Sequence, residues 1–161
     1  MSLLAAFSVV AGNVCAAECK QGSARYVDPE SGLLLSFSSF GENVQVMHQF
    51  TIGLEGADTQ LGGFVVVEGE PLRPISIVMN KCPDGDVTGE ELEACTVWKG
   101  VPYGRFSDGN IGLLPLADEV AVTQILLPDF TRSVMSDPVW EEIETINDPF
   151  EVFDFKDCGV S

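Results

Sequence analysis

Val44-Gln45-Val46-Met47-His48-Gln49-Phe50-Thr51-Ile52-Gly53-Leu54 is the segment whose reading decides the fold class. Val44, Val46, His48, Phe50, Ile52 and Leu54 fall on one side of an extended chain, and Gln45, Met47, Gln49 and Thr51 on the other. A period of two marks a strand with one covered face, because a helix would scatter these side chains around its circumference. Working outward, Ala24-Arg25-Tyr26-Val27 and Leu33-Leu34-Leu35-Ser36-Phe37 read as strands joined by the turn residues Asp28-Pro29-Glu30-Ser31-Gly32. Gly41-Glu42-Asn43 turns the chain into the central strand.

Downstream, Gly53 to Gly63 reads as looser, and Phe64-Val65-Val66-Val67 as a strand stopped by Glu68-Gly69-Glu70-Pro71. Pro74 opens Ile75-Ser76-Ile77-Val78-Met79, another strand candidate, and the first residue is where a strand tolerates a proline. Trp98 to Asn110 is rich in glycine and aromatics and reads as a long loop. Pro115 demotes Ile111-Gly112-Leu113-Leu114-Pro115-Leu116 to an edge strand or loop. Val120 to Leu127 and Glu151 to Lys156 are the last strand candidates. Phe130 and Val134 suggest a turn or two of helix. Asp137-Pro138 starts another, with Val139, Ile143 and Ile146 on one face. Strands do not alternate with long helices, which disfavours a parallel sheet. The expected fold is an antiparallel β-sandwich or partly closed β-barrel with one or two short helices, stapled by disulfides.

The staples follow from cysteine use. Residues 3–14 form an uncharged apolar run followed by Cys15-Ala16-Ala17, which reads as a signal peptide over 1–17, although no Lys or Arg precedes the run. An apolar stretch of this length is short for a membrane span. A secreted β-rich domain over 18–161, periplasmic or extracellular, would keep Cys19, Cys82, Cys95 and Cys158, for which three pairings exist. Proximity favours Cys82 with Cys95, leaving Cys19 with Cys158 to tie the ends together.

Acid dominates, with 25 Asp and Glu against 8 Lys and Arg and a formal net charge of −17. Such a chain is repelled by phosphate backbones and anionic lipid, which argues against nucleic-acid binding and against membrane insertion once the leader is removed. It suits basic partners or divalent cations.

Few residues offer chemistry. His48 lies on the apolar face of the central strand and reads as a packed, hydrogen-bonded core histidine. No Gly-x-Ser-x-Gly, phosphate loop or dinucleotide fingerprint is present, so no catalytic residue is assigned. Asp84, Asp86 and Thr88, followed by Gly89, reproduce the opening of a calcium loop, but Cys95 stands where the closing bidentate Glu belongs. Thr88 with Glu91 equally reads as a capping box for a helix over about Gly89 to Thr96. The pairs Glu68 with Glu70, and Glu141, Glu142 with Glu144, keep a carboxylate-based hydrolase open. Trp98, Tyr103, Arg105 and Phe106 have the composition of interface anchors. The leading expectation is an acidic binding or structural module that recognises a protein, inhibitor-like and on a basic partner. A calcium-stabilised domain is the alternative.

Overall fold

The structure is a computed structural model, and it describes residues 19–38, 46–85, 88–143 and 151–159. The expected leader, the turn at 41–43, Val44, Gln45, Asp86, Glu144 and Ile146 lie outside the described residues.

The chain forms β1 (Ala24–Val27), β2 (Leu34–Ser38), β3 (Val46–Gly53), β4 (Gln60–Glu68) and β5 (Arg73–Met79). Helix α1 (Gly89–Cys95) leads into β6 (Thr96–Gly100), followed by β7 (Tyr103–Arg105), β8 (Ile111–Leu113) and β9 (Gln124–Leu126). Helix α2 (Phe130–Ser136) and β10 (Val152–Cys158) complete the order. All ten strands belong to one curled antiparallel sheet, a half-barrel ordered β6-β5-β4-β3-β2-β1-β10-β9-β7-β8. Of the two architectures expected, the fold is thus the partly closed barrel. Among the described residues no helix is long and apolar enough to cross a membrane.

The alternation in the central strand does what its period requires. His48, Phe50 and Ile52 are buried, and Gln49 and Thr51 are half-buried on the opposite face. A register shift between Val46 and His48 brings Met47 against the core as well. Strand β4 begins earlier than its β-branched run suggests. Gly63 lies opposite Phe50, whose ring occupies the space a side chain there would need: an added Cβ would sit 2.4 Å from Phe50 Cζ. A glycine inside a strand here marks close packing rather than a loop.

On the buried face, Tyr26, Phe37, Phe50 and Phe153 from the strands pack with Val122, Phe130, Val134, Val139 and Ile143 from the segments that cover them. The Asp137 carboxylate caps the Val139 amide at 2.9 Å, as the Asp-Pro pair predicts. The helix it opens is a single 3-10 turn over Pro138–Glu141.

Two disulfides close the molecule. Cys82–Cys95 joins residues with Cα atoms 5.2 Å apart and brackets the excursion that contains α1. Cys19–Cys158 spans 139 residues, with Cα atoms 5.8 Å apart, and ties the segment before β1 to the end of β10. The two strands are neighbours in the sheet, with Ala24 opposite Cys158. Their seam also carries a two-pronged ion pair, Arg25 Nε to Asp157 Oδ1 at 2.5 Å and Arg25 Nη2 to Asp157 Oδ2 at 2.7 Å. Both bridges match the pairing inferred from spacing, and they are consistent with an oxidising compartment.

Candidate functional site

The segment from Trp98 to Asn110 is not the loop its composition suggests. Trp98 lies within β6, only 3% exposed, its indole N–H donating to the Pro128 carbonyl at 2.9 Å and its ring edge-on to Phe130. Apolar area of that size goes inside when α2 supplies a wall for it, so Trp98 is a core residue and not a displayed anchor. Tyr103 and Phe106 are half-buried, and Arg105 is exposed with its guanidinium donating to Gln124 Oε1 at 3.3 Å.

What the tertiary structure displays instead lies just downstream. A tight turn at 106–110, with Gly109 at φ +88°, folds β8 back on β7. The chain then runs through 114–121 pinned against the start of the domain. The Gly22 amide donates to the Ala117 carbonyl, Gln21 to Glu119 and Ala121 to Cys19, each at 2.9 Å. Gly22 permits this approach, since a Cβ there would lie 2.9 Å from that of Ala117. The Leu116 amide donates to the Glu119 carboxylate at 2.6 Å, closing a small turn. With the backbone held, Leu114 points into the core while its neighbours project outward. Ile111 is 61% exposed, Leu116 56%, Val120 51% and Leu113 39%.

Two open depressions flank this segment. One, of about 650 Å³, is lined by Phe106, Leu113, Pro115 and Val120 with Lys20 and Glu119 at its margin. The other, of about 710 Å³, is lined by Met47, Val66, Val67 and Leu116 with Glu68 and Asp118. Val67 is itself 51% exposed. Scattered exposed apolar side chains are ordinary, but here Leu113 and Val120 line one depression and Leu116 and Val67 the other, with Lys20, Glu68, Asp118 and Glu119 beside them, which makes the strip a candidate contact surface.

His48 lies behind the rim. It is buried, packs edge-on against Phe37, and its Nε2 is 2.8 Å from the Pro115 carbonyl. A carbonyl can only accept, so Nε2 carries the proton and Nδ1 presents a buried lone pair without a hydrogen-bond partner among the described residues. Burial holds the imidazole pKa below its ordinary value, and the Pro115 carbonyl offsets this only in part. Lys20 and Asp118 are the charged groups lining the depression beside it.

A lowered folded-state pKa means that the unfolded chain takes up the proton first. Stability from this group is therefore intact above the unfolded pKa of about 6.5 and falls as the pH drops below it, by up to about 1.4 kcal/mol for each unit separating the two pKa values. Denaturation from about pH 7.5 to about pH 5.5 should show this loss, with a shallower slope for His48→Gln. Identical slopes would mean that His48 is not the group responsible.

The remaining sequence candidates fall into structural roles. Thr88 and Glu91 form a reciprocal cap: the Thr88 hydroxyl accepts from the Glu91 amide at 3.3 Å and donates to its carboxylate at 2.8 Å. That hydroxyl is thus engaged in capping the helix. Asp84 is exposed, and among the described residues no three His, Cys, Asp or Glu side chains gather as a metal site would need. Glu68 pairs with Lys99 at 2.7 Å, Glu142 with Lys81 at 2.7 Å, and Glu70 and Glu141 are exposed.

Comparison with known protein families, characterised proteins and solved structures finds no match to this chain. The site therefore rests on its own geometry. The signals available in 111–120 were Pro115, which marks an edge, and the adjacent acids Asp118 and Glu119, which a core strand would not carry.

Proposed function

We propose that this protein is a binding module of the periplasm or extracellular space that recognises a basic protein through the face built by Ile111, Leu113, Leu116 and Val120. The observation that carries the reading is the outward display of these four apolar side chains, Ile111 and Leu113 from β8 paired to β7, and Leu116 and Val120 from the strip held by hydrogen bonds to residues 19–22. A preformed surface pays little ordering entropy on association. The formal net charge of −17 supports a cationic partner, because the field of the whole chain raises encounter rates with positive surfaces and repels negative ones. The two disulfides support an oxidising compartment.

The test places a photo-crosslinking residue at Leu116, at Val120 and, as a remote control, at Glu93 on α1, in protein exposed to its native surroundings. Adducts should form from Leu116 and Val120 only. They should fade with added salt and should fall about tenfold when Leu113 is also replaced by glutamate, the effect of losing one well-buried apolar contact. Equal adducts from all three positions, or none from Leu116 and Val120, would remove the face from consideration.

A further inference from the structure

The half-barrel ends in two terminal strands that differ in how they are covered. At one end, β6 packs beneath α2, with Trp98 bonded to Pro128 and edge-on to Phe130. At the other, β8 pairs with β7 and with no further strand among the described residues.

The register identifies which backbone groups face that open edge. Tyr103 lies opposite Leu113, Gly104 opposite Gly112 and Arg105 opposite Ile111. The Phe106 amide donates to the Asn110 carbonyl at 2.8 Å, so the pair next to the turn is a hydrogen-bonded one. Antiparallel pairs alternate, so Arg105 and Ile111 turn their backbone groups away from each other, as do Tyr103 and Leu113. On the β7 side this agrees with the Thr123 amide, which donates to the Arg105 carbonyl from the opposite flank at 2.8 Å. On the β8 side it leaves the N–H and C=O of both Ile111 and Leu113 directed off the sheet. The side chains of the same two residues share one face and are exposed.

An edge that offers paired donors and acceptors beside exposed apolar side chains is a template for another strand. Resting on the protein-binding reading above, we infer that β8 takes up an extended segment of the partner. That segment has apolar residues at alternate positions, meeting Ile111 and Leu113, and cationic residues between them. Charge decides against a second copy as the occupant. Edge-to-edge pairing would bring two bodies of formal net charge −17 together, whereas a cationic strand is drawn in.

The probe is a short fluorescent peptide alternating valine and lysine. Its controls are the same peptide with alternate amides N-methylated, which cannot complete a ladder, and a version with glutamate for lysine. On the protein, Ile111→Pro removes one outward N–H and leaves the bonds to β7 in place, while Ile111→Ala keeps the backbone donor. Binding should weaken about tenfold with N-methylation and by a similar factor in Ile111→Pro, with a smaller loss in Ile111→Ala. The glutamate peptide should bind at least about tenfold more weakly than the lysine peptide.

Because the N-methylated peptide is tested on the unaltered protein, a folding defect in Ile111→Pro does not decide the outcome. Equal binding of methylated and unmethylated peptides would overturn strand addition and leave the apolar face to its own crosslinking test. No binding of any peptide would overturn the inference as well. So would concentration-dependent dimerisation of the unaltered protein that Ile111→Pro abolishes, which would assign the edge to a second copy.

Discussion

Replacing Cys19 and Cys158 together by alanine is expected to lower the unfolding free energy by about 5 kcal/mol, against about 3 kcal/mol for Cys82 and Cys95, on the chain-entropy account of cross-links. The ordering follows from loop size, since the first bridge spans 139 residues and the second 13. Local structure adds to the larger figure. Cys19 is buried, its carbonyl accepts from the Ala121 amide at 2.9 Å, and Lys20 forms a β-bridge with Val120. The bond therefore anchors the strip that presents the apolar face as well as the seam between β1 and β10. With a typical domain stability of about 5–15 kcal/mol, the double substitution removes a large share of the whole. Urea denaturation under non-reducing conditions measures it. A midpoint for Cys19→Ala/Cys158→Ala equal to that of the unaltered protein, or above that of Cys82→Ala/Cys95→Ala, would sink the claim that this bridge matters most.

Trp98→Ala should cost about 3–5 kcal/mol, the range for emptying a large aromatic from a core. Trp98→Phe should cost about 1 kcal/mol for the lost bond to Pro128, beyond its smaller change in volume. The indole touches Phe130, which in turn packs edge-on against Phe153 of β10, so the cavity would open between the sheet and α2. An interface anchor behaves oppositely: its removal leaves stability untouched and reduces only binding. Thermal or denaturant unfolding separates the two, and a Trp98→Ala protein as stable as its parent would place that ring on the surface after all.

Much of this architecture is legible residue by residue in the chain. The period of two through Val46, His48, Phe50 and Ile52, the turn chemistry of Asp28 to Gly32, the Thr88 and Glu91 cap and the Asp137-Pro138 start are local signals. Each follows from the stereochemistry of a few adjacent residues, and each survives in the folded molecule. Cysteine spacing indicated both bridges because a short loop closes most easily, and the remaining pair then has one solution.

Other features depend on distant partners. Val120 to Leu127 reads as one strand, yet only Gln124–Leu126 joins a ladder. The Ala121 amide instead reaches the Cys19 carbonyl, and the Val122 amide reaches the Gln21 side chain.

The sequence by itself indicated most of the strands through β5, the turn at Asp28 to Gly32, the covalent ties and the strong negative charge, all of which arise within short windows or simple counts. Tertiary structure alone decided that Trp98 is inside and that Leu116 and Val120 are outside. It also decided that, among the described residues, β8 ends the sheet with the backbone groups of Ile111 and Leu113 directed off its edge. Burial of a side chain is a property of what packs against it, and an edge is defined by the absence of a neighbouring strand. Neither is written in the residues concerned.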